Sequence, residues 1–313
     1  MNKIWIIGAG GIAQEYAKVL QSLDEEYIVI GRSKGSATKF EENIGVKVYV
    51  GGLTNFLETK PLLPKAVIVA VGIMELKDVA ILLMGYGVRQ ILLEKPGGYC
   101  PQELYEINSI AKATKSQIFL AYNRRFYSSV LKAEEIIKED GGLNSFNFEF
   151  TEWEHIIDKS KYDDLVLSNW FFGNSTHVID LAFFLGGKPQ TISCYTKGSL
   201  SWHSPSIFVG SGITENGCLF SYGANWGAPG RWSVELLTSK HRLYLRPMEI
   251  LQIQNVGSVQ ISQVEINDDL DKKFKPGFYL ETKAFIEHKN ERLCSIDEQI
   301  HHIKYIYNKI LNK

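Results

Sequence analysis

The run Lys3-Ile4-Trp5-Ile6-Ile7-Gly8-Ala9-Gly10-Gly11-Ile12-Ala13 decides the fold of this chain. The unbroken apolar stretch from Ile4 to Ile7 suits a strand buried on both faces, as in a parallel sheet. Gly8 then makes a tight turn, Gly10 lets the backbone approach a pyrophosphate, and Ala13 is small enough for close helix–strand packing. Gly11 and Ile12 open a helix whose unpaired N–H groups face the same place. G-x-G-x-x-A between a strand and a helix therefore predicts a dinucleotide-binding βαβ unit.

The residues that follow keep the same rhythm. Helical periodicity from Ala13 to Leu20 leads to strands at 27–30, 46–50 and 66–71. A helix over 75–86 precedes Ile91-Leu92-Leu93, and a helix over 101–114 precedes Gln117-Ile118-Phe119-Leu120. This spacing predicts a doubly wound α/β domain with a parallel sheet, a Rossmann fold, over residues 1–121. From 122 the character changes. After a helix ending near Lys138, strand-like runs begin at 146–150 and recur around 190–197, 206–211, 218–223, 232–237, 241–245 and 258–265. The helix His177 to Leu185 lies among them, stopped by Gly186-Gly187. Residues 122–313 thus read as an α+β domain with a mostly antiparallel open sheet; the helical tail, 278–289 and 297–311, is expected to pack back on the first domain. An open sheet needs covering, which predicts a homodimer or homotetramer.

Bulk properties narrow the partners. The 313 residues are 45% hydrophobic and 22% charged with a net charge of −1, which gives no electrostatic reason to expect nucleic acid or an anionic membrane. No apolar run approaches the roughly 20 residues of a membrane span, and the N-terminus reads as a core strand rather than a signal peptide. Cys100, Cys194, Cys218 and Cys294 are scattered, so no metal site is expected and a cytoplasmic, reduced state is.

The second strand selects the cofactor. An NAD enzyme usually ends it in Asp or Glu for the ribose 2′-hydroxyl. Here it ends Ile30-Gly31-Arg32-Ser33-Lys34, where Arg32 offers a planar fork to a 2′-phosphate with Ser33 and Lys34 as further partners. The reading is NADP(H) over NAD(H). Val71 and Gly72, after the fourth strand, are expected at the same edge, and so are Glu94, Lys95 and Pro96, after the fifth. An ammonium at Lys95 can donate a hydrogen bond to a reacting oxygen, or take an alcohol proton if its pKa is lowered.

Gly8-Ala9-Gly10-Gly11-Ile12-Ala13, Glu94-Lys95-Pro96, Tyr122-Asn123-Arg124-Arg125-Phe126 and His177-Val178-Ile179-Asp180 occur in this order. Together they resemble the glucose–fructose oxidoreductase / inositol dehydrogenase / rhizopine-catabolism (Gfo/Idh/MocA) family, most strongly over residues 1–126. The resemblance implies that Lys95 touches the reacting hydroxyl or carbonyl, that the peptide before Pro96 is cis, and that Asn123 lies near the nicotinamide. It also implies that His177 donates or accepts the proton. The family's Asp four residues before that His is replaced by Gly173. Either His177 and Lys95 suffice, or the substrate is handled differently, or hydride transfer has been lost.

The expected substrate is a small molecule, a sugar or sugar derivative, nucleotide-linked ones included, by family analogy. Asn174 stands beside the missing Asp and is a candidate contact. Arg124 and Arg125 are candidates to reach a phosphate or carboxylate, the alternative being surface positions on the connecting helix. Trp153, His155, Tyr162, Trp170, His203, Trp226 and Trp232 offer sugar-stacking faces, with sheet packing as the commoner use of such residues. The leading reading is an NADP(H)-dependent alcohol–ketone oxidoreductase. Its rivals are a non-catalytic NADP-binding protein and a reductase of an imine or other unsaturated group.

Overall fold

The predicted N-terminal strands form β1 (Ile4–Ile7), β2 (Tyr27–Gly31), β3 (Val48–Val50), β4 (Val67–Val69), β5 (Gln90–Leu93) and β6 (Gln117–Leu120). They lie in the order β3-β2-β1-β4-β5-β6, all parallel, in a computed structural model that describes residues 3–313. The order reverses between β1 and β4, which makes the carboxyl end of β1 the switch point where such sheets bind ligands. Helices α1 (Gly11–Ser22), α2 (Lys34–Ile44), α3 (Gly52–Glu58), α4 (Leu76–Tyr86) and α5 (Pro101–Thr114) connect the strands. Helix α1 buries Ala13, Ala17 and Leu20, the face legible in the sequence, together with Tyr16 and Val19. Helix α5 starts on Pro101, whose missing N–H costs nothing there. Helix α2 escapes the periodicity reading because it buries only Ala37 and Phe40.

Contacts divide the chain differently from a single boundary after residue 121. Residues 3–123 form one unit with Leu270–Ile300, and Arg124–Asp269 forms the other with His301–Lys313. Within the first unit, the two-residue strand Cys294–Ser295 adds an antiparallel edge to β6. The helix Phe278–Ile286 covers α1, with the Tyr16 and Phe278 rings 4.7 Å apart, and Gln90 Nε2 donates to the Phe285 carbonyl at 2.8 Å.

The second unit carries β7 (Ser145–Glu149), β8 (Pro189–Lys197), β9 (Ile207–Thr214), β10 (Leu219–Asn225), β11 (Ser233–Leu237), β12 (His241–Leu245), β13 (Gln252–Asn255) and β14 (Ile261–Gln263). Their order is β14-β13-β12-β11-β7-β10-β9-β8, antiparallel throughout except β7 with β10. The run expected at 258–265 proves to be the second arm of the β13–β14 hairpin, whose polar first arm, Gln252-Ile253-Gln254-Asn255, gave little hydrophobic signal.

Alternation along β7 turns Phe146 and Phe148 to one face, where Phe146 stacks on Phe220 at 5.3 Å and meets Phe183 edge-on at 5.8 Å. Helix α6 (Ser128–Glu139) and helix α7 (Thr176–Gly186) belong to this unit, and α7 lies directly against the Phe146 ring. On the strands β8, β9 and β10, Tyr195, Val209 and Leu219 are exposed. Among the described residues no helix is long and apolar enough to cross a membrane.

A buried ion pair fixes α7. Arg125 Nε and Nη2 donate to Asp180 Oδ2 and Oδ1 at 2.8 and 2.5 Å, with both side chains 1% exposed. His302 Nδ1 lies 3.5 Å from the same carboxylate. Burial alone would raise the Asp180 pKa, but the Arg125 charge and its hydrogen bonds outweigh it and hold the group below its ordinary value. A depressed carboxylate adds stability above its unfolded pKa and loses it as pH falls through its folded value. Asp180→Asn should therefore cost roughly 3–5 kcal/mol at neutral pH. The gap to the wild type, followed by denaturant unfolding, should narrow below about pH 4; a gap independent of pH would contradict the ion pair's role. A second expectation concerns packing. A Cβ on Gly186 would sit 2.1 Å from the Phe146 ring, whereas exposed Gly85 in α4 has nothing within 4 Å. Gly186→Ala should lower the thermal midpoint through about 1–3 kcal/mol of overpacking, and Gly85→Ala should raise it slightly.

Candidate active site

The end of β1 is built as a phosphate cradle. Gly8 has φ +116°, and a Cβ there would lie 2.2 Å from the Ala70 carbonyl oxygen, so only glycine fits. Gly10 and Gly11 have nothing within 4 Å of where a side chain would begin, which leaves the backbone open to a ligand. Gly10 precedes α1, which has no side-chain cap and no acidic residue in its first turn. Its first N–H groups are therefore available to an anion.

From this cradle a cleft of about 540 Å³ runs along the sheet edge. Of the residues that the sequence singles out for the cofactor, Gly8, Gly10, Arg32, Ser33 and Val71 line it, and so do Gly51, Gly52, Glu75 and Asp78, which the sequence reading had not singled out. Gly51-Gly52, directly after the third strand with φ +114° and +85°, was the available signal for this part of the wall. Arg32 is largely exposed and ion-paired with Glu75. The Ser33 hydroxyl accepts from Ser36 N at 3.4 Å and caps α2. Lys34 begins that helix and Gly72 begins the turn Ile73–Glu75; neither is on the cleft wall, and nor is Ile12 in α1.

Glu94-Lys95-Pro96 leaves β5 at the same edge, with a cis bond between Lys95 and Pro96 as the resemblance implies. Tyr16, on α1, donates to Glu94 Oε1 at 2.8 Å. Burial pushes the Glu94 pKa up, and the Tyr16 bond and the charges of Lys95 and Lys275 pull it partly back. The strand end that carries Lys95 is thus tied to the cradle helix. Asn123 is buried and its Nδ2 donates to the Pro276 carbonyl at 2.9 Å, so at least one of its amide hydrogens serves the unit's own architecture.

In the second unit, His177 stands in the first turn of α7, after a π-helical turn Phe171–Ser175 that contains Gly173. A buried carboxylate from another element stands against this turn. Glu152, just beyond β7, is 2% exposed and accepts from Ser175 Oγ at 2.7 Å and Asn174 Nδ2 at 2.9 Å. Burial raises its pKa, and these hydrogen bonds and Arg231 oppose the rise. No spacing rule connects position 152 to 174 and 175, which is why the sequence did not reveal it.

The candidate arginines separate. Arg125 is consumed by Asp180, whereas Arg124 is partly buried with its guanidinium 4.7 Å from the Trp232 ring centroid. The His177 ring is 6.0 Å from the same indole. Among the other aromatic candidates, Trp226 packs with His203 and Phe208, and Trp170 with Tyr162 and Trp202. His155 lies 6.4 Å from Trp153.

Comparison with known proteins accords with this geometry. Residues 2–122 match the model of the Gfo/Idh/MocA family, described as an oxidoreductase family with an NAD-binding Rossmann fold. No curated protein sequence matches the chain at a significant level. Among solved structures, the UDP-N-acetylglucosamine 3-dehydrogenase GnnA from Acidithiobacillus ferrooxidans is similar with a TM-score of 0.74 at 14% identity, covering 99% of this chain and 96% of that one. The WlbA dehydrogenase from Chromobacterium violaceum, solved with NADH and UDP-GlcNAcA, gives 0.72 at 16%, covering 99% and 94%. Levoglucosan dehydrogenase in complex with NADH and L-sorbose gives 0.76 at 16%, covering 99% and 97%. At such identities the likeness is one of fold. Residues 2–122 are thus similar to the NAD-binding domain of the Gfo/Idh/MocA oxidoreductase family, and the chain carries over its whole length the fold of these dehydrogenases.

Proposed function

We propose that this chain is an NADP(H)-dependent oxidoreductase that interconverts an alcohol and a ketone on a sugar or sugar derivative, nucleotide-linked ones included. The observation that carries the reading is the cleft that opens from the bare N-terminus of α1 and has Arg32, rather than a carboxylate, at the end of β2. The residues present fit a dinucleotide. Gly8, Gly10 and Gly11 would receive the pyrophosphate, and Arg32 the 2′-phosphate, which would take the place of Glu75 as its partner. Ser33 and Lys34 lie next to Arg32 and complete the basic turn.

When bound, the reduced nicotinamide supplies hydride to a carbonyl carbon. Lys95 donates a hydrogen bond to the carbonyl oxygen as negative charge builds there, and His177 hands over the proton that completes the hydroxyl. In the oxidative direction His177 takes that proton back. Glu152 acts as a positioning residue, since its bonds to Asn174 and Ser175 hold the turn immediately before His177. The sugar-acting structural neighbours support the substrate class. The exposed Tyr195, Val209 and Leu219 on the second sheet support a homodimer or homotetramer.

Gly173 favours a second reading, an NADP-binding protein without turnover. Fluorescence titration with NADPH, followed by oxidation assays over ketosugars, separates the two, because binding without turnover across the panel selects the second. Lys95→Met should leave NADPH affinity nearly intact and cut turnover by about 10² or more. An unchanged rate would remove Lys95 from the chemistry. Arg32→Asp should weaken NADPH far more than NADH, and equal losses for both cofactors would show that Arg32 does not hold the phosphate.

A further inference from the structure

Five side chains of the second unit alternate ring, cation, ring, cation, ring. The Arg231 guanidinium lies 4.5 Å from the Trp153 centroid and 4.6 Å from the Trp232 centroid. The Arg124 guanidinium lies 4.7 Å from Trp232 and 5.9 Å from Tyr127. Trp153 is itself pinned, its Nε1 donating to the Gly230 carbonyl at 2.6 Å. Stacking of this kind fixes the plane of a guanidinium and leaves its N–H edge free to donate.

Neither cation in this cluster is bonded to a carboxylate. Among the described residues neither Arg124 nor Arg231 has a hydrogen-bond acceptor or an ion pair, and the Arg124 Nε–H and Trp232 Nε1–H are buried without partners. Glu152 and Glu249 are the carboxylates whose charge reaches this cluster, and Glu152 already accepts from Asn174 and Ser175. Burial works against the charge on Arg124, and Arg231 adds to that penalty. The adjacent Arg125 shows the contrast, since it has a carboxylate of its own in Asp180. Two pre-oriented forks with no hydrogen-bonded carboxylate of the protein are complementary to an oxyanion supplied from outside.

We propose that Arg124, Arg231 and the Trp232 N–H form an oxyanion subsite beside His177, and that the substrate is an acidic sugar bearing a carboxylate or a phosphate. The proposal rests on reading the second unit as the substrate domain of an oxidoreductase. It narrows the substrate class from sugars at large to those carrying a negative charge.

Tryptophan-fluorescence titrations at fixed ionic strength, with NADPH present, test it using D-glucuronate, D-gluconate and D-glucose 6-phosphate against D-glucose. At least one acid should bind about tenfold or more tighter than glucose, and which one does distinguishes a carboxylate from a phosphate. Arg231→Ala should weaken that acid by about tenfold or more, Arg231→Lys should restore part of the loss, and neither should shift the affinity for NADPH. Arg124→Gln should act in the same direction, and the Arg231 series decides the matter if that variant does not fold. The proposal is overturned if no acid binds better than glucose, or if Arg231→Ala leaves acid binding unchanged. Parallel NADPH-oxidation assays keep the two readings apart. An acid that binds through Arg231 without turnover sinks the oxidoreductase reading and leaves the subsite standing. Turnover of neutral sugars that is indifferent to Arg231→Ala does the reverse.

Discussion

The approach of the Gly8 backbone to Ala70 is the constraint on which the first unit's site depends. A side chain at Gly8 would collide with the Ala70 carbonyl at 2.2 Å. Gly8 N meanwhile donates to Ile30 O, and Ala70 N to Ile7 O, each at 2.8 Å. The turn is thus held from both neighbouring strands at the point where the sheet order reverses. That fixes the N-terminus of α1, and Tyr16 carries the constraint onward through its bond to Glu94. The phosphate cradle and the strand end bearing Lys95 are therefore parts of one rigid assembly rather than two loops placed independently.

The second unit solves a different problem, the placing of charge against an aromatic core. Phe146 and Phe148, with Phe183, Phe220 and Tyr222, make a dry sheet–helix interface. Each such pair adds about 0.5–1.5 kcal/mol beyond area burial. Two sets of polar groups buried near it are closed, Arg125 with Asp180, and Glu152 with Asn174 and Ser175. Arg124 and Arg231 are left out of these sets, although Arg124 is next in sequence to an arginine that is fully paired. An unpaired buried donor is costly, and an external oxyanion at the subsite proposed above would relieve that cost.

Much of this was legible in the sequence. All six N-terminal strands were, because strands buried on both faces are continuous apolar runs, and so was the glycine turn. The fate of individual polar residues was not. Ser33 reads as a phosphate ligand and also caps α2, and Asn123 reads as a cofactor contact and also holds Pro276. The tail helices 278–289 and 297–311 read as packing back on the first domain, yet Leu270–Ile300 joins that unit while His301–Lys313 joins the other, since a helix's apolar stripe does not say which surface it will cover.

The sequence by itself determined the doubly wound sheet, the cradle at Gly8 and Gly10, and the basic turn at Arg32. Each is set by a local period or by backbone sterics acting within a few residues. Only the tertiary structure decided that Glu152 would stand behind Asn174 and Ser175, that Arg125 would be neutralised, and that Arg124 would meet Arg231 across Trp232. Those partners lie tens of residues apart and are joined by burial, and burial is a property of the packed chain rather than of any segment of it.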